Sequence, residues 1–109
     1  MVQMKPLKEI AAVIRSKNAG PFEITLDIIF RNAQDFQKVK ETGIINKEII
    51  SRIYNLPVEK IITFVEFEAA NAIKVTIPRT RAQGSIGETD MHATQQHVPL
   101  MDIMIPWDV

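Results

Sequence analysis

The sequence predicts an α+β sandwich, with two short helices on one face of a largely antiparallel sheet, and three observations carry that prediction. Residues 22–30 alternate between apolar and mostly polar side chains, the period of a strand with one buried face. Residues 32–55 change to helical spacing, set between asparagines and a glycine that suit helix ends. Beyond residue 60 short alternating apolar runs return. The resulting order is β-β-α-α-β-β-β, which buries its apolar surface best as helices laid on a sheet.

Leu7 to Ile14 is short and mostly apolar, and reads as a strand running into the turn Arg15-Ser16-Lys17-Asn18-Ala19-Gly20-Pro21. In Phe22 to Phe30, Phe22, Ile24, Leu26, Ile28 and Phe30 form the buried set, while Glu23, Thr25, Asp27, Ile29 and Arg31 form a mostly wet one. The spacing of these two runs around Gly20 suits an antiparallel hairpin. Asn32 caps a helix over Ala33 to Thr42, with Phe36, Val39 and Lys40 on one side and Gly43 as its stop. Asn46 caps a second, whose stripe is Ile49, Ile50, Ile53 and Tyr54, and Asn55-Leu56-Pro57 ends it. Ile61 to Phe67 and Ala72 to Ile77 are strands joined by a tight connection at Glu68-Ala69-Ala70-Asn71. Leu100 to Ile105 is the last strand, closed by Pro106, with 106–109 as a tail.

The chain of 109 residues is expected to form one domain, with a core over 7–106. At that length folding buries roughly 65% of the unfolded surface. Thirteen basic and thirteen acidic side chains balance, which argues against a nucleic-acid or anionic-membrane binder. There is no cysteine, so a disulfide framework, a thiolate zinc site and a cysteine nucleophile are all excluded. The first ten residues carry three charges and no apolar run, unlike a signal peptide. No stretch approaches the roughly 18 apolar residues of a membrane span. The expectation is a soluble cytoplasmic domain. One feature stands apart: residues 78–99 have no periodicity, and loops of that length are usually functional or disordered.

Four groups of residues could carry chemistry. Arg15, Ser16, Lys17, Asn18 and Gly20 combine two cations, a hydroxyl, an amide and a flexible backbone, which suits a carboxylate or phosphate. The stretch lacks the second spaced glycine and following helix of a P-loop, and solvated charges on an ordinary hairpin are the plainer reading. Arg79, Arg81, Gln83, Gly84 and Ser85 suit an anion in the same way, or a lid over one. Two such stretches in a neutral chain could form one positive site. Gln95, Gln96 and His97, with His92, Glu88 and Asp90, could bind a divalent metal or supply a general base. Their spacing matches no metal motif, so no metal and no cofactor is expected. Lastly, Ile29, the five methionines and Trp107 exceed what one small core needs, which favours an oligomer or heteromer. Docking of Trp107 onto its own domain is an equal alternative.

At Arg15 to Pro21 (RSKNAGP), Phe22 to Phe30 (FEITLDIIF) and Gln95 to Leu100 (QQHVPL) the sequence resembles a family of small bacterial proteins of unknown function. These are similar to the ferredoxin-fold domain of AtuA-like (acyclic terpene utilisation) proteins. The likeness spans roughly Leu7 to Pro106. Its looser shared elements are the Arg15-Ser16…Gly20 turn, the strand opening at Asn71 and the terminal Leu100, Asp102, Ile105 pattern. The resemblance implies a ferredoxin-like fold, and work beside a larger AtuA-like polypeptide on acidic or acyl compounds, acyl thioesters of CoA among them. It carries no catalytic residues over.

Three functions follow as expectations. The first is an accessory subunit, in a homo-oligomer or a heteromer with an AtuA-like protein, contributing an anion site for a small acidic metabolite or acyl thioester. The second is an independent enzyme on such a substrate with His92 or His97 as base. The third is a small-molecule sensor using the same basic stretches.

Overall fold

A computed structural model describes residues 2–20, 22–78 and 98–108. The expected α+β sandwich forms, consistent with a ferredoxin-like arrangement, and its sheets are wholly antiparallel. In chain order the elements are β1 (Val2–Pro6), α1 (Leu7–Ile10), β2 (Ala11–Asn18), β3 (Glu23–Phe30), α2 (Ala33–Thr42), α3 (Lys47–Tyr54), β4 (Thr63–Phe67), β5 (Ala72–Pro78), α4 (Val98–Met101) and β6 (Met104–Asp108). Short 3-10 turns occupy Val58–Lys60 and Glu68–Ala70. One sheet has the order β2-β3-β5-β4 and the other pairs β1 with β6.

The two long helices form where local chemistry dictates. The Asn32 side chain accepts from the Asp35 N–H, and Gly43 ends α2 at φ 68°, in the left-handed region that glycine enters without a Cβ penalty. The Asn46 side chain accepts from the Ile49 N–H, and Asn55 ends α3 at φ 53°. Both helices turn their apolar stripes to one face of the four-stranded sheet. There Phe36, Val39 and Ile50 meet Ile24, Leu26, Ile28, Phe30, Ile73, Val75 and Ile77 in one buried cluster. The rings of Phe30 and Phe36 lie 6.1 Å apart in a tilted pair. Tyr54 packs against the same cluster, and its burial pushes the phenol above its ordinary pKa.

Several boundaries differ from the sequence reading, each for a physical reason. Leu7–Ile10 is one helical turn, not the start of a strand. Leu7 and Ile10 enter the core from it, the Leu7 N–H donates to the Ile103 carbonyl, and Arg31 Nη1 donates to the Ile10 carbonyl at 2.7 Å. The strand that follows runs through Asn18, so Arg15 to Asn18 is sheet and not turn. Phe22 precedes its strand and is exposed. Thr25 and Asp27 are buried although assigned to the wet face, because β3 is an inner strand with neighbours on both sides.

In Ile61 to Phe67 the face shared by Thr63, Val65 and Phe67 is the sheet's uncovered one, while Phe64 packs on the core. The last strand begins at Met104 and passes through Pro106 to Asp108, where a tail was expected. In a two-stranded sheet every strand is an edge, so a proline without an N–H can be accommodated. Pro106 sits opposite Met4 there, and Trp107 opposite Gln3. Trp107 packs back onto the core of its own domain, with Lys38 Nζ 5.0 Å from the ring centre. The loop expected over 78–99 lies, apart from its ends, outside the described residues.

Candidate functional site

Among the described residues, helices cover one face of the four-stranded sheet only, and the other face holds the candidate site. Its composition is decided by a bulge. Ala11 pairs with Phe30 and Val13 with Ile29, which leaves Ala12 as an extra residue in β2. A one-residue shift exchanges the faces of a strand. Ala11 is therefore buried on the core side, whereas Val13, Arg15 and Lys17 go to the uncovered side and stay exposed.

Strand register then lines up three rows across that face. The first reads Arg15, Asp27, Lys74, Val65 across β2, β3, β5 and β4. One step along, on the side of Val13, the row is Val13, Ile29, Ala72, Phe67. On the other side it is Lys17, Thr25, Thr76, Thr63. A charged row thus lies between an apolar row and a threonine-rich one.

Between these side chains is a depression of about 180 Å³. Arg15, Lys17 and Lys74 line it together with Phe67, Asp27, Ile29, Ala70 and Ala72. Asp27 is only 5% exposed, and its Oδ2 accepts a hydrogen bond from Arg15 Nε at 3.1 Å. The Arg15 side chain remains 56% exposed, so most of the guanidinium faces solvent although one nitrogen is fixed. That tether limits its rotamers, which lowers the entropy lost when it captures a further anion. Lys17 and Lys74 make no ion pair among the described residues. Among the described lining residues, three cations against one carboxylate leave a local surplus of two positive charges in a chain that is neutral overall. Arg15 and Lys74 stand two strands apart, about 10 Å between backbones, within the joint reach of two long side chains.

The structure brings together only part of the predicted anion-binding group. Arg15 and Lys17 share the uncovered face. Ser16 and Asn18 alternate to the other, opposite Leu26 and Ile24, where both are half-buried and hydrogen-bonded or otherwise engaged. Gly20 shapes the turn, at φ 120°, beside the Ala19 N–H that donates to the Glu23 carbonyl. Arg79, Arg81, Gln83, Gly84, Ser85, His92, Gln95, Gln96 and His97 lie outside the described residues. Asp27, Lys74 and Phe67 were missed as site residues, and Ile29 was read only as apolar surface for a partner. A signal for the first existed: Arg15 and Asp27 are equidistant from position 21, so a hairpin centred there makes them partners. Among the described residues no group of three or more acidic or histidine side chains could hold a metal, and no helix is long and apolar enough to cross a membrane.

Comparison with known proteins places residues 7–104 in the family described as "Domain of unknown function (DUF4387)", and the chain belongs to that family. No curated protein and no solved structure matches it. Nothing in these comparisons links it to AtuA-like proteins.

Proposed function

We propose that this DUF4387 protein is a small binding subunit that holds an acidic ligand on the uncovered face of its four-stranded sheet. It would work beside a larger AtuA-like polypeptide in the breakdown of acidic or acyl compounds. The observation that carries the anion-binding part is the tethered Arg15, which lines one depression together with Lys17 and Lys74. A guanidinium offers a planar fork to a carboxylate or phosphate, and two ammonium groups add point charges to it. Binding fits this site better than catalysis. The one carboxylate among its described residues, Asp27, is buried and already paired with Arg15, which leaves it poorly placed to take a substrate proton. The partner rests on the sequence resemblance.

Acetate and inorganic phosphate, titrated at constant ionic strength and followed by amide NMR, test the site. Shifts should concentrate on residues 15–17, 25–27 and 72–74. Lys74→Gln and Lys17→Gln, which break no ion pair among the described residues, should each weaken binding by roughly 3- to 10-fold, or about 0.6–1.4 kcal/mol. Shifts scattered over the surface, or affinities unchanged in both variants, would overturn the anion site. For the partner, affinity purification from native cells should retain a stoichiometric AtuA-like chain. Recovery of this chain alone, with nothing but its own copies, would overturn that part.

A further inference from the structure

We infer that the ligand of this face is amphipathic: a free carboxylate on a short hydrocarbon chain, lying with its head over Arg15, Lys17 and Lys74 and its chain across Ile29, Ala72 and Phe67. This rests on the anion-binding reading above and names the ligand class. The charged and apolar rows are neighbours on one face, two residues apart along each strand, so about 7 Å separates head contacts from chain contacts. From Ile29 to Phe67 the apolar row crosses two strand spacings, about 10 Å.

Phe67 is 45% exposed at the end of that row, and Ala72 between Ile29 and Phe67 is small, which leaves a groove instead of a ridge. On the opposite side of the cations stands the row containing Thr25, Thr76 and Thr63, which offers hydroxyls and no apolar floor. The face therefore has a direction, and a chain attached to the captured head is favoured toward Phe67 only. A free acid suits the spacing better than a thioester, which has no charge where its acyl chain begins.

Hexanoate, acetate and hexanamide, titrated into the protein by the same NMR measurement, separate the possibilities. Hexanoate should bind roughly 10-fold tighter than acetate, as expected for about two methylenes' worth of burial on an open face. Hexanamide should bind at least 10-fold more weakly than hexanoate. Phe67→Ala and Ala72→Leu should collapse the hexanoate-to-acetate ratio toward one, whereas Lys74→Gln should weaken both acids and leave the ratio in place. Phe67 is an exposed edge residue, so its truncation does not threaten folding.

Equal binding of hexanoate and acetate would overturn the amphipathic ligand and leave the anion site standing. Hexanamide binding as tightly as hexanoate would overturn this inference, because the head would then be unnecessary. Absence of binding by either acid would remove the anion site and this inference together.

Discussion

Replacing Arg15 by Met removes the charge opposite Asp27 while keeping an apolar stem on β2. The two partners of this ion pair sit in different environments, so the two ways of breaking it should differ in cost. Asp27 is 5% exposed and accepts from Arg15 Nε at 3.1 Å, whereas the Arg15 side chain is 56% exposed. Without Arg15 a buried carboxylate loses its partner, which costs about 1–3 kcal/mol. Solvent at the open face keeps the expected value near the middle, about 2 kcal/mol, or at least ~8 °C in Tm for a domain of this size.

Asp27→Asn leaves an arginine in water and retains an acceptor, so it forfeits only what a half-exposed pair is worth, about 0.5 kcal/mol. Combining the two removes the orphaned charge, and the double variant should resemble Asp27→Asn, with a coupling of about 2 kcal/mol between the two sites. Urea denaturation of all four proteins at neutral pH, followed by far-ultraviolet circular dichroism, measures these values. If Asp27→Asn proves as costly as Arg15→Met, or the two losses simply add, the buried-carboxylate account of the site is wrong.

Three further outcomes follow from local geometry. Asn46 accepts from the Ile49 N–H and donates to the Gly43 carbonyl, both at 2.8 Å. Asn46→Ala should cost about 1–1.5 kcal/mol in denaturant unfolding, and Asn46→Asp less, since it keeps the cap and loses only the donor. Asn71 joins β4 to β5 at φ 51°. Asn71→Ala should destabilise by about 1 kcal/mol and Asn71→Gly should be close to neutral, compared by thermal unfolding. Glu68 accepts from Lys40 Nζ at 2.9 Å, and that hydrogen bond, with the Lys40 charge, holds its carboxyl below the ordinary range. The associated stabilisation is complete above the ordinary carboxylate range and is lost as pH falls through the lowered value. In Lys40→Met the Glu68 carboxyl should titrate at higher pH by NMR; an unchanged midpoint would deny the contact.

The helical middle of the chain was legible because its signals are local. Asn32, Gly43, Asn46 and Asn55 act within a few residues of themselves, and the structure uses all four as helix ends. The first strand was not legible because its pairing is remote: Val2–Pro6 is held only by Met104–Asp108 within its sheet, across most of the chain. Pro106 read as a stop because a proline ends most strands, and the exception depends on a sheet of two strands that no local pattern reveals. The turn expected at Arg15 to Asn18 has loop-like composition. Cross-strand pairing to Ile24 through Asp27 overrides it.

The candidate site shows the same division between identity and placement. Arg15 and Lys17 stand out in the sequence as cations near a glycine, and that chemistry survives in the fold. What turns two surface cations into a shaped site is register, which brings in Asp27 from β3 and Lys74 from β5. Register alone would still leave the face undecided, since odd-numbered residues of β2 would continue on the side of buried Ala11. The extra residue Ala12 reverses that, sending Arg15 and Lys17 outward and Ser16 and Asn18 inward. Were the alternation unbroken, both cations would point at Leu26 and Ile24, where burying unpaired charge is prohibitive. The bulge is therefore as much a part of the site as the cations, and no residue in it touches the depression.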